Sequence, residues 1–183
     1  MHVTLRVDES LPDLRDEVLS EQLQQSLCEG KQREGFRLVH YCILTHRLHL
    51  IVAAPDADAL TEGIRGLCVR LARRINRFAA RQGRVFSDRY YSRILRTPRE
   101  VRNCISYVIL NCRRHAAQHG RKLMSDWIDD CSSGRFFDGW RNRPPRRPAD
   151  EQPTVVAAGT WLLSTGWRKW GLIRIDEVPG PEP

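Results

Sequence analysis

The sequence predicts an α+β domain with a ferredoxin-like β-α-β-β-α-β antiparallel sheet, an added helix and a C-terminal extension. Two kinds of pattern support this prediction. Short runs of alternating apolar and polar side chains are typical of half-buried strands, and longer runs with apolar residues three or four apart are typical of amphipathic helices. These runs follow one another in the ferredoxin-like order, which places both crossover helices on one face of the sheet and leaves the other face open.

The first part of the chain supplies three strands and one helix. Alternation predicts the first strand at His2–Val7. A helix is predicted at Leu14–Cys28, where apolar residues recur at helical spacing, and Gly30 is expected to end it. The runs Phe36–Ile43 and Arg47–Ala53 then predict a pair of strands with a short connection.

The middle of the chain supplies a long helix, a strand and the added helix. The long helix is predicted at Ala57–Gln82, with an apolar stripe on one side and arginines on the other. A fourth main strand is predicted at Tyr91–Arg96. The run Thr97–Glu100 then has a capping-box pattern with proline at the first helical position, so we expect the added helix to extend to about His119.

Alternation also predicts which side chains of the strand at 47–53 reach the open face. Leu48, Leu50 and Val52 are its apolar set and should face the crossover helices. Because neighbouring side chains of a strand point to opposite faces, Arg47 and His49 should then lie on the open face.

The chain divides into three predicted segments. Residues 1–120 form the main domain, residues 121–153 a loop and a proline- and arginine-rich linker, and residues 154–183 a tryptophan-rich extension. The six cysteines form no CxxC pair, which argues against a zinc ribbon or a redox motif. No apolar run approaches the roughly 20 residues that span a bilayer, and the first residues lack a signal-peptide pattern. We therefore expect no membrane association and a cytoplasmic protein.

Arginine is concentrated in the middle third of the chain. The 30 basic and 22 acidic side chains give a net charge of +8, but residues 60–122 alone hold 16 basic and 3 acidic side chains. The planar guanidinium binds phosphate through two parallel hydrogen bonds and stacks on bases. This concentration favours a nucleic-acid partner. The alternative interpretation is a solvated helix face.

The added helix carries a candidate nucleophile. Tyr107 and Asn111 are four residues apart and so share a helix face, which Arg114 continues. Beside a divalent cation that polarises a phosphodiester, a tyrosine can attack phosphorus and form a covalent phosphotyrosine. His49 and Asn111 are candidate ligands for that cation. The alternative interpretation of Tyr107 is an ordinary half-buried aromatic residue at a helix–sheet junction.

Four stretches, taken in order, resemble the HUH single-strand transposases, and most closely the REP-associated tyrosine transposases. The first resembles that family's metal-binding strand, whose pattern is Asn-His-hydrophobic-His-Leu. The other three are similar to the family in their order and spacing. The resemblance covers residues 2–120. The matching stretches are residues 43–52, 76–78, 83–90 and 107–111.

The resemblance implies a reaction, a metal and a partner. Members of the family cleave single-stranded DNA at hairpins with a helix tyrosine, leaving a 5′-phosphotyrosine and a free 3′-hydroxyl, and they usually act as homodimers. They hold Mg²⁺ or Mn²⁺ with two histidines and a helix amide or carboxylate. By resemblance, Tyr107 is the nucleophile, His49 the second histidine ligand and Asn111 the helix ligand. The residues predicted to contact DNA are Arg47, Arg73, Arg74, Asn76, Arg77, Arg81, Arg89, Tyr90, Arg93 and Arg114.

The chain departs from the family at the first histidine, where it has Arg47. A guanidinium has no lone pair for a cation, and His46 belongs to the opposite face of a regular strand. Three alternatives follow: a bulge turns His46 inward, Arg47 clamps the phosphate instead, or cleavage is lost and a hairpin-DNA-binding protein remains. An RNA-binding sheet of the RRM type is disfavoured because the central strands lack an aromatic cluster.

Overall fold

An antiparallel sheet organises the protein, whose computed structural model describes residues 1–142, 144 and 150–182 and has five strands in that part of the chain. The strand order is β2-β3-β4-β1-β5, and each neighbouring pair is antiparallel. This confirms the predicted α+β class and the ferredoxin-like order, to which the two-residue β2 is an addition. The strands are β1 (His2–Arg6), β2 (Gln32–Arg33), β3 (Phe36–Ile43), β4 (Arg47–Ala53) and β5 (Tyr91–Arg93).

Helices α1 (Glu17–Gly30) and α2 (Ala57–Phe78) cover one face of the sheet. Their apolar stripes meet the inward side chains of β1 and β4 in one buried cluster, which contains the predicted Leu48, Leu50 and Val52. Burial of this apolar surface is the main source of stability on this face. The side chains of β4 therefore point as alternation predicts.

A glycine allows α2 to approach the sheet closely. A Cβ atom at Gly63 would lie 2.0 Å from the ring of Phe36, a residue that is buried at the start of β3. Any side chain at this position would displace either the buried Phe36 ring or the helix itself. The long predicted helix therefore packs on the sheet through a position at which only hydrogen fits.

The other face carries α3 (Pro98–Ile109) and α4 (Asn111–Gln118). The predicted capping box is present, because Thr97 accepts from the Glu100 backbone and Glu100 accepts from the Thr97 backbone. The single helix expected to extend to His119 is instead interrupted at Leu110, whose φ of −113° and ψ of 18° leave the helical region. Leu110 is buried and continues the apolar spacing, so the periodicity conceals the break.

Other helices and strands also begin or end at residues that differ from the predicted ones. Helix α2 ends at Phe78 rather than at Gln82, because Ala80 has a φ of 49° and Gly83 a φ of 113°, and both values interrupt a right-handed helix. The last strand is three residues long. Helix α1 begins after Asp16, whose side chain accepts hydrogen bonds from two backbone amides of the first turn.

The C-terminal segment completes a second buried cluster above α3. A short helix, α5 (Trp161–Ser164), and a 3₁₀ turn (Gly166–Trp170) bring Trp167 against Phe137 and the inner side of α3. The predicted domain boundaries at residues 120 and 153 stay a prediction, and residues 143 and 145–149 of the expected loop and linker at 121–153 lie outside the described residues. Within the described part of the chain, every helix is too short or too polar to cross a bilayer.

A partly buried ion pair joins distant parts of the chain. Arg15, just before α1, donates to both carboxylate oxygens of Asp129 at 2.8 and 3.0 Å and to the Ile43 carbonyl at 2.9 Å. Asp129 is 3% exposed and also accepts from the backbone of Cys131 at 3.1 Å. The pair therefore fixes the loop after α4 against the end of β3 and the start of α1.

Removing one side of this pair should destabilise the protein. We expect Asp129→Ala to lower the free energy of unfolding by about 2–4 kcal/mol, because the Arg15 guanidinium loses a bidentate charged partner. Urea denaturation measures this change. The neighbouring Asp130 is exposed, so Asp130→Ala should stay within about 0.5 kcal/mol of the wild type. Equal effects of the two substitutions would contradict a role for the pair.

Candidate functional site

Two histidines meet on the open face of the sheet, where β1 pairs with β4. Thr4 lies opposite His49 in the ladder, and His2 lies two residues away on the same face of β1. The His2 Nε2 and His49 Nδ1 atoms are 3.2 Å apart, and the two rings stack with centroids 5.3 Å apart. The Thr4 hydroxyl lies 3.3 Å from the same His49 nitrogen. The cross-strand pairing thus brings three polar side chains together at one point.

Burial keeps both imidazoles neutral. Loss of solvent lowers the pKa of His2 to about 4, with a further lowering by His49. Loss of solvent also lowers the pKa of His49 to about 4, with further contributions from Arg47 and His115. Both rings are therefore unprotonated at pH 7, and each has a nitrogen lone pair that a cation can use.

Tyr107 extends from α3 onto this histidine pair. Its ring packs edge-on at 5.2 Å from the His49 ring centroid and 6.0 Å from that of His2, and the residue is 7% exposed. Burial raises the pKa of Tyr107, and the nearby Glu182 carboxylate adds to this rise, while Asn111 and Arg114 oppose it. The phenol is therefore protonated at neutral pH. The structure thus brings the predicted nucleophile and the predicted histidine ligand together.

Asn111 is the first residue of α4, four residues after Tyr107, and its side chain is fully buried. Its amide lowers the pKa of the Tyr107 hydroxyl. Neither Nδ2 nor Oδ1, however, completes a regular hydrogen bond with any described residue. An unsatisfied buried amide costs about 1–3 kcal/mol. Such a group is typical of a site whose partner is a ligand rather than the protein.

The C-terminal tail adds a carboxylate that the sequence analysis missed. Glu182 accepts a hydrogen bond from the Thr4 hydroxyl at 3.3 Å, and its Oε1 atom lies 3.9 Å from His49 Nδ1. The tail is anchored on α3, because Glu177 accepts from Ser106 at 2.8 Å and from Arg102 at 2.7 Å. Burial opposes ionisation of Glu177, but these hydrogen bonds outweigh it and lower the pKa of Glu177.

A groove leads from this cluster along the outer ends of β1, β4 and β5. Arg47 is exposed there, on the same face as His49, as alternation predicts. Tyr91 is 64% exposed, so its ring is available for stacking. Three guanidinium groups border the groove together with two carboxylates. The lining residues are Thr4, Arg6, Arg47, Asp88, Arg89, Tyr91 and Glu182.

The arginines of α2 do not join this groove. That helix packs on the opposite face of the sheet from Tyr107, and Arg74 lies 3.7 Å from the Glu29 carboxylate. Asn76 donates to the Gly83 carbonyl at 2.8 Å, which stabilises the turn after α2. The predicted DNA-contacting residues on the far side of the sheet are Arg73, Arg74, Asn76 and Arg77.

The predicted DNA-contacting residues that follow α2 do not all lie at the groove. Arg89 borders the groove, whereas Tyr90 packs against the helix-side core and its hydroxyl lies 3.0 Å from that of Thr61. Arg93 pairs with Glu100 at 3.3 Å. Two further predicted DNA-contacting residues do not line the groove. They are Arg81, which lies near the end of α2 and contacts the Arg84 carbonyl, and Arg114, whose guanidinium lies 6.0 Å from the Tyr107 ring centroid.

His46 lies in the turn between β3 and β4, before the first residue of β4. Strand β4 pairs with β1 in unbroken register from Arg47 to Ile51. The irregularity between described strands falls in β3, between Leu38 and His40. The bulge that would turn His46 inward is therefore absent from the described part of β4, and the histidine that reaches His49 is His2. Alternation puts His2 on the open face, but only the strand register reveals its neighbour.

Comparisons with known proteins address this fold directly. No protein-family model matches the chain, and no curated protein sequence matches it. A solved structure of a REP-associated tyrosine transposase bound to a REP hairpin matches with a TM-score of 0.55 and 16% identity, over 74% of this chain and 76% of that one. The chain has the fold of a tyrosine transposase. A candidate transposase of Deinococcus radiodurans R1 matches with a TM-score of 0.43 and 18% identity, over 52% of this chain and 77% of that one.

The Asn111 amide, which completes no regular hydrogen bond, leads to a testable prediction about stability. We expect Asn111→Leu to raise the free energy of unfolding by about 1–2 kcal/mol, because it removes a buried polar group that completes no regular hydrogen bond. Chemical denaturation measures the gain. Asn103 is exposed on α3, so Asn103→Leu is the matched control and should change stability by less than about 0.5 kcal/mol. A clear loss of stability in Asn111→Leu would instead show that the amide is satisfied in the folded protein.

Proposed function

We propose that this protein is a member of the REP-associated tyrosine transposase family that binds single-stranded hairpin DNA and cleaves it through Tyr107. The observation that carries the proposal is the position of the Tyr107 ring, 5.2 Å from the His49 ring beside an arginine-lined groove. A phenol, a neutral imidazole and phosphate-binding guanidinium groups are the parts that a phosphotyrosine mechanism needs. The fold of the solved transposase adds independent support.

The proposed step exchanges one phosphate ester for another. The Tyr107 hydroxyl oxygen forms a bond to the scissile phosphorus, and the bond from phosphorus to the 3′ oxygen breaks. The phenol loses its proton to solvent, and the leaving 3′ oxygen takes one up. The products are a 5′-phosphotyrosine and a free 3′-hydroxyl, so the total charge of the phosphodiester is unchanged. Attack by a 3′-hydroxyl on the phosphotyrosine reverses the step and rejoins the strand.

The side chains around Tyr107 have distinct roles in this proposal. A protonated phenol is a weak nucleophile, and the guanidinium of Arg114 near its ring favours the developing phenolate. The neutral His49 nitrogen and the unpaired Asn111 Oδ1 atom suit a divalent cation such as Mg²⁺ or Mn²⁺. Bound there, the cation would polarise the scissile phosphodiester.

The groove supplies the DNA-binding surface. Arg6, Arg47 and Arg89 lie along it, and guanidinium groups bind phosphate oxygens through paired hydrogen bonds. The exposed ring of Tyr91 can stack on an unpaired base, an interaction worth about 1–3 kcal/mol per base. In this arrangement Arg47 contacts a phosphate rather than a metal ion. The homodimer and the cytoplasmic location stay predictions.

Covalent trapping tests the nucleophile. Incubation of the protein with Mn²⁺ and an end-labelled hairpin oligonucleotide should give an adduct that survives a denaturing gel, and Tyr107→Phe should abolish that adduct while hairpin binding stays within about twofold. Tyr91→Phe is the matched control, because it removes a hydroxyl from the groove and leaves the nucleophile intact. An adduct that persists in Tyr107→Phe would exclude this tyrosine.

The second candidate function is a hairpin-DNA-binding protein that has lost cleavage. The observation that favours it is the guanidinium of Arg47 on the face where the related transposases are expected to have a ligand histidine. This alternative retains the groove and its DNA contacts but not the covalent step. Hairpin binding by the wild type with no adduct in Mn²⁺ or Mg²⁺ would establish it and overturn the cleavage proposal.

Salt dependence tests the groove. The logarithm of hairpin affinity should fall linearly with the logarithm of salt concentration, by about 0.7 for each phosphate contacted in a single strand. Arg89→Gln should weaken binding and reduce this slope by roughly 0.7–1. Arg65→Gln makes the same charge change on α2, where Arg65 pairs with Glu62, and should leave the slope unaltered. An equal loss of slope in both variants would indicate net charge alone.

A further inference from the structure

We propose that His2 and Glu182 join His49 as ligands of a divalent cation, so that β1 and the C-terminal tail supply what Arg47 cannot. The inference rests on the proposed function in assigning the cation to phosphodiester cleavage. The three donor atoms all lie within 4.8 Å of one another. Two neutral imidazoles and a carboxylate form a ligand set that first-row divalent metals accept.

The distance between the two imidazoles fits a shared cation. Imidazole nitrogen lies about 2.1 Å from a bound divalent metal such as zinc. At tetrahedral or octahedral angles, two such nitrogens are therefore roughly 3.0–3.4 Å apart. The observed separation of His2 Nε2 and His49 Nδ1 is 3.2 Å. The stacked rings thus hold two imidazole nitrogens at the spacing that a single ion requires.

A carboxylate completes the set from the open side. The Glu182 Oε1 atom lies 3.9 Å from His49 Nδ1, and its side chain is 43% exposed. The partly open position allows this oxygen to approach an ion while water or a phosphate oxygen occupies other coordination positions. Its negative charge also offsets part of the charge of an ion held near Arg47. The anchor between Glu177 and α3 brings the tail to this point.

The buried polar groups around the pair are short of partners. His2 is 1% exposed, and its Nδ1 atom has no hydrogen-bond partner in the described part of the chain. The fully buried Asn111 amide also lacks a regular hydrogen bond. A site built only for packing would place apolar side chains here, since each unsatisfied buried polar group is costly. Polar side chains that are retained at this cost are typical of a site that holds a ligand.

The family pattern locates both histidines on one strand, two residues apart. In this chain the second donor comes instead from the neighbouring strand, on the same face and diagonal to His49 in the ladder. A guanidinium at position 47 offers no lone pair, and His46 lies outside the cluster. The cation site is therefore assigned to residues 2, 49 and 182.

Titration of the DNA-free full chain with Mn²⁺ tests the ligand set separately from cleavage. Isothermal calorimetry should detect one site in the wild type. His2→Phe keeps an aromatic ring against Tyr107, and Glu182→Gln changes an exposed carboxylate that cannot affect folding greatly. Each should weaken Mn²⁺ binding by about tenfold or more, since even groups that merely orient a ligand are worth roughly 10–100-fold in metal affinity. Circular dichroism confirms that each variant is folded.

Two substitutions serve as matched controls. His46→Gln removes the neighbouring histidine in the turn, and Glu9→Gln removes an exposed carboxylate elsewhere; both should bind Mn²⁺ like the wild type. Electron spin-echo spectroscopy of bound Mn²⁺ adds a direct readout, because it detects coupled imidazole nitrogens. Two coupled imidazoles are expected in the wild type and one in His2→Phe.

The outcomes separate this inference from the proposed function. Mn²⁺ affinity that survives either His2→Phe or Glu182→Gln overturns the ligand assignment, even where a Tyr107 adduct still forms. The assignment is equally overturned if the wild type binds no Mn²⁺, whether or not Arg47→His gains binding. Conversely, binding that needs both residues supports the assignment, and in that case a missing adduct counts only against cleavage.

Discussion

The antiparallel pairing of β1 with β4 is the constraint on which the rest of the structure depends. Its register puts Leu5 opposite Leu48 in the helix-side core and Thr4 opposite His49 on the other face. Because side chains alternate across a strand, a shift of one residue would exchange the two faces. Core formation and assembly of the histidine pair are therefore one event, and the hydrophobic contacts that stabilise the fold also select the geometry of the site.

The site combines features that oppose stability with a well-packed surrounding. Burial suppresses the charge of His2 and His49, raises the pKa of Tyr107 and leaves the Asn111 amide without a regular partner. Tyr107 itself belongs to the second buried cluster, in which the C-terminal segment and its fully buried Trp167 pack with apolar residues of α3. The tryptophan-rich extension thus supports the helix that positions Tyr107.

Sequence patterns predicted the parts of this architecture that depend on local periodicity. Alternation assigned Leu48 to the core and His49 to the open face, and helical spacing with the capping box located the helix of Tyr107. The interruption at Leu110 escaped prediction because a buried leucine fits a helical stripe whether or not the backbone is helical. The contacts of His2 and Glu182 depend on strand register and on the path of the tail, which are long-range properties. The side of the sheet occupied by each arginine likewise follows from tertiary packing rather than from the charge pattern.

The ion pair between Arg15 and Asp129 joins residues that are 114 positions apart. Ribosomes add about 5–20 residues per second, so roughly 6 to 23 s separate the synthesis of the two partners. During that interval both crossover helices and the other strands are synthesised, and the loop that closes against β3 follows them. Co-translational folding of this protein therefore has a late step, in which the Asp129 carboxylate pairs with a guanidinium that was synthesised long before it.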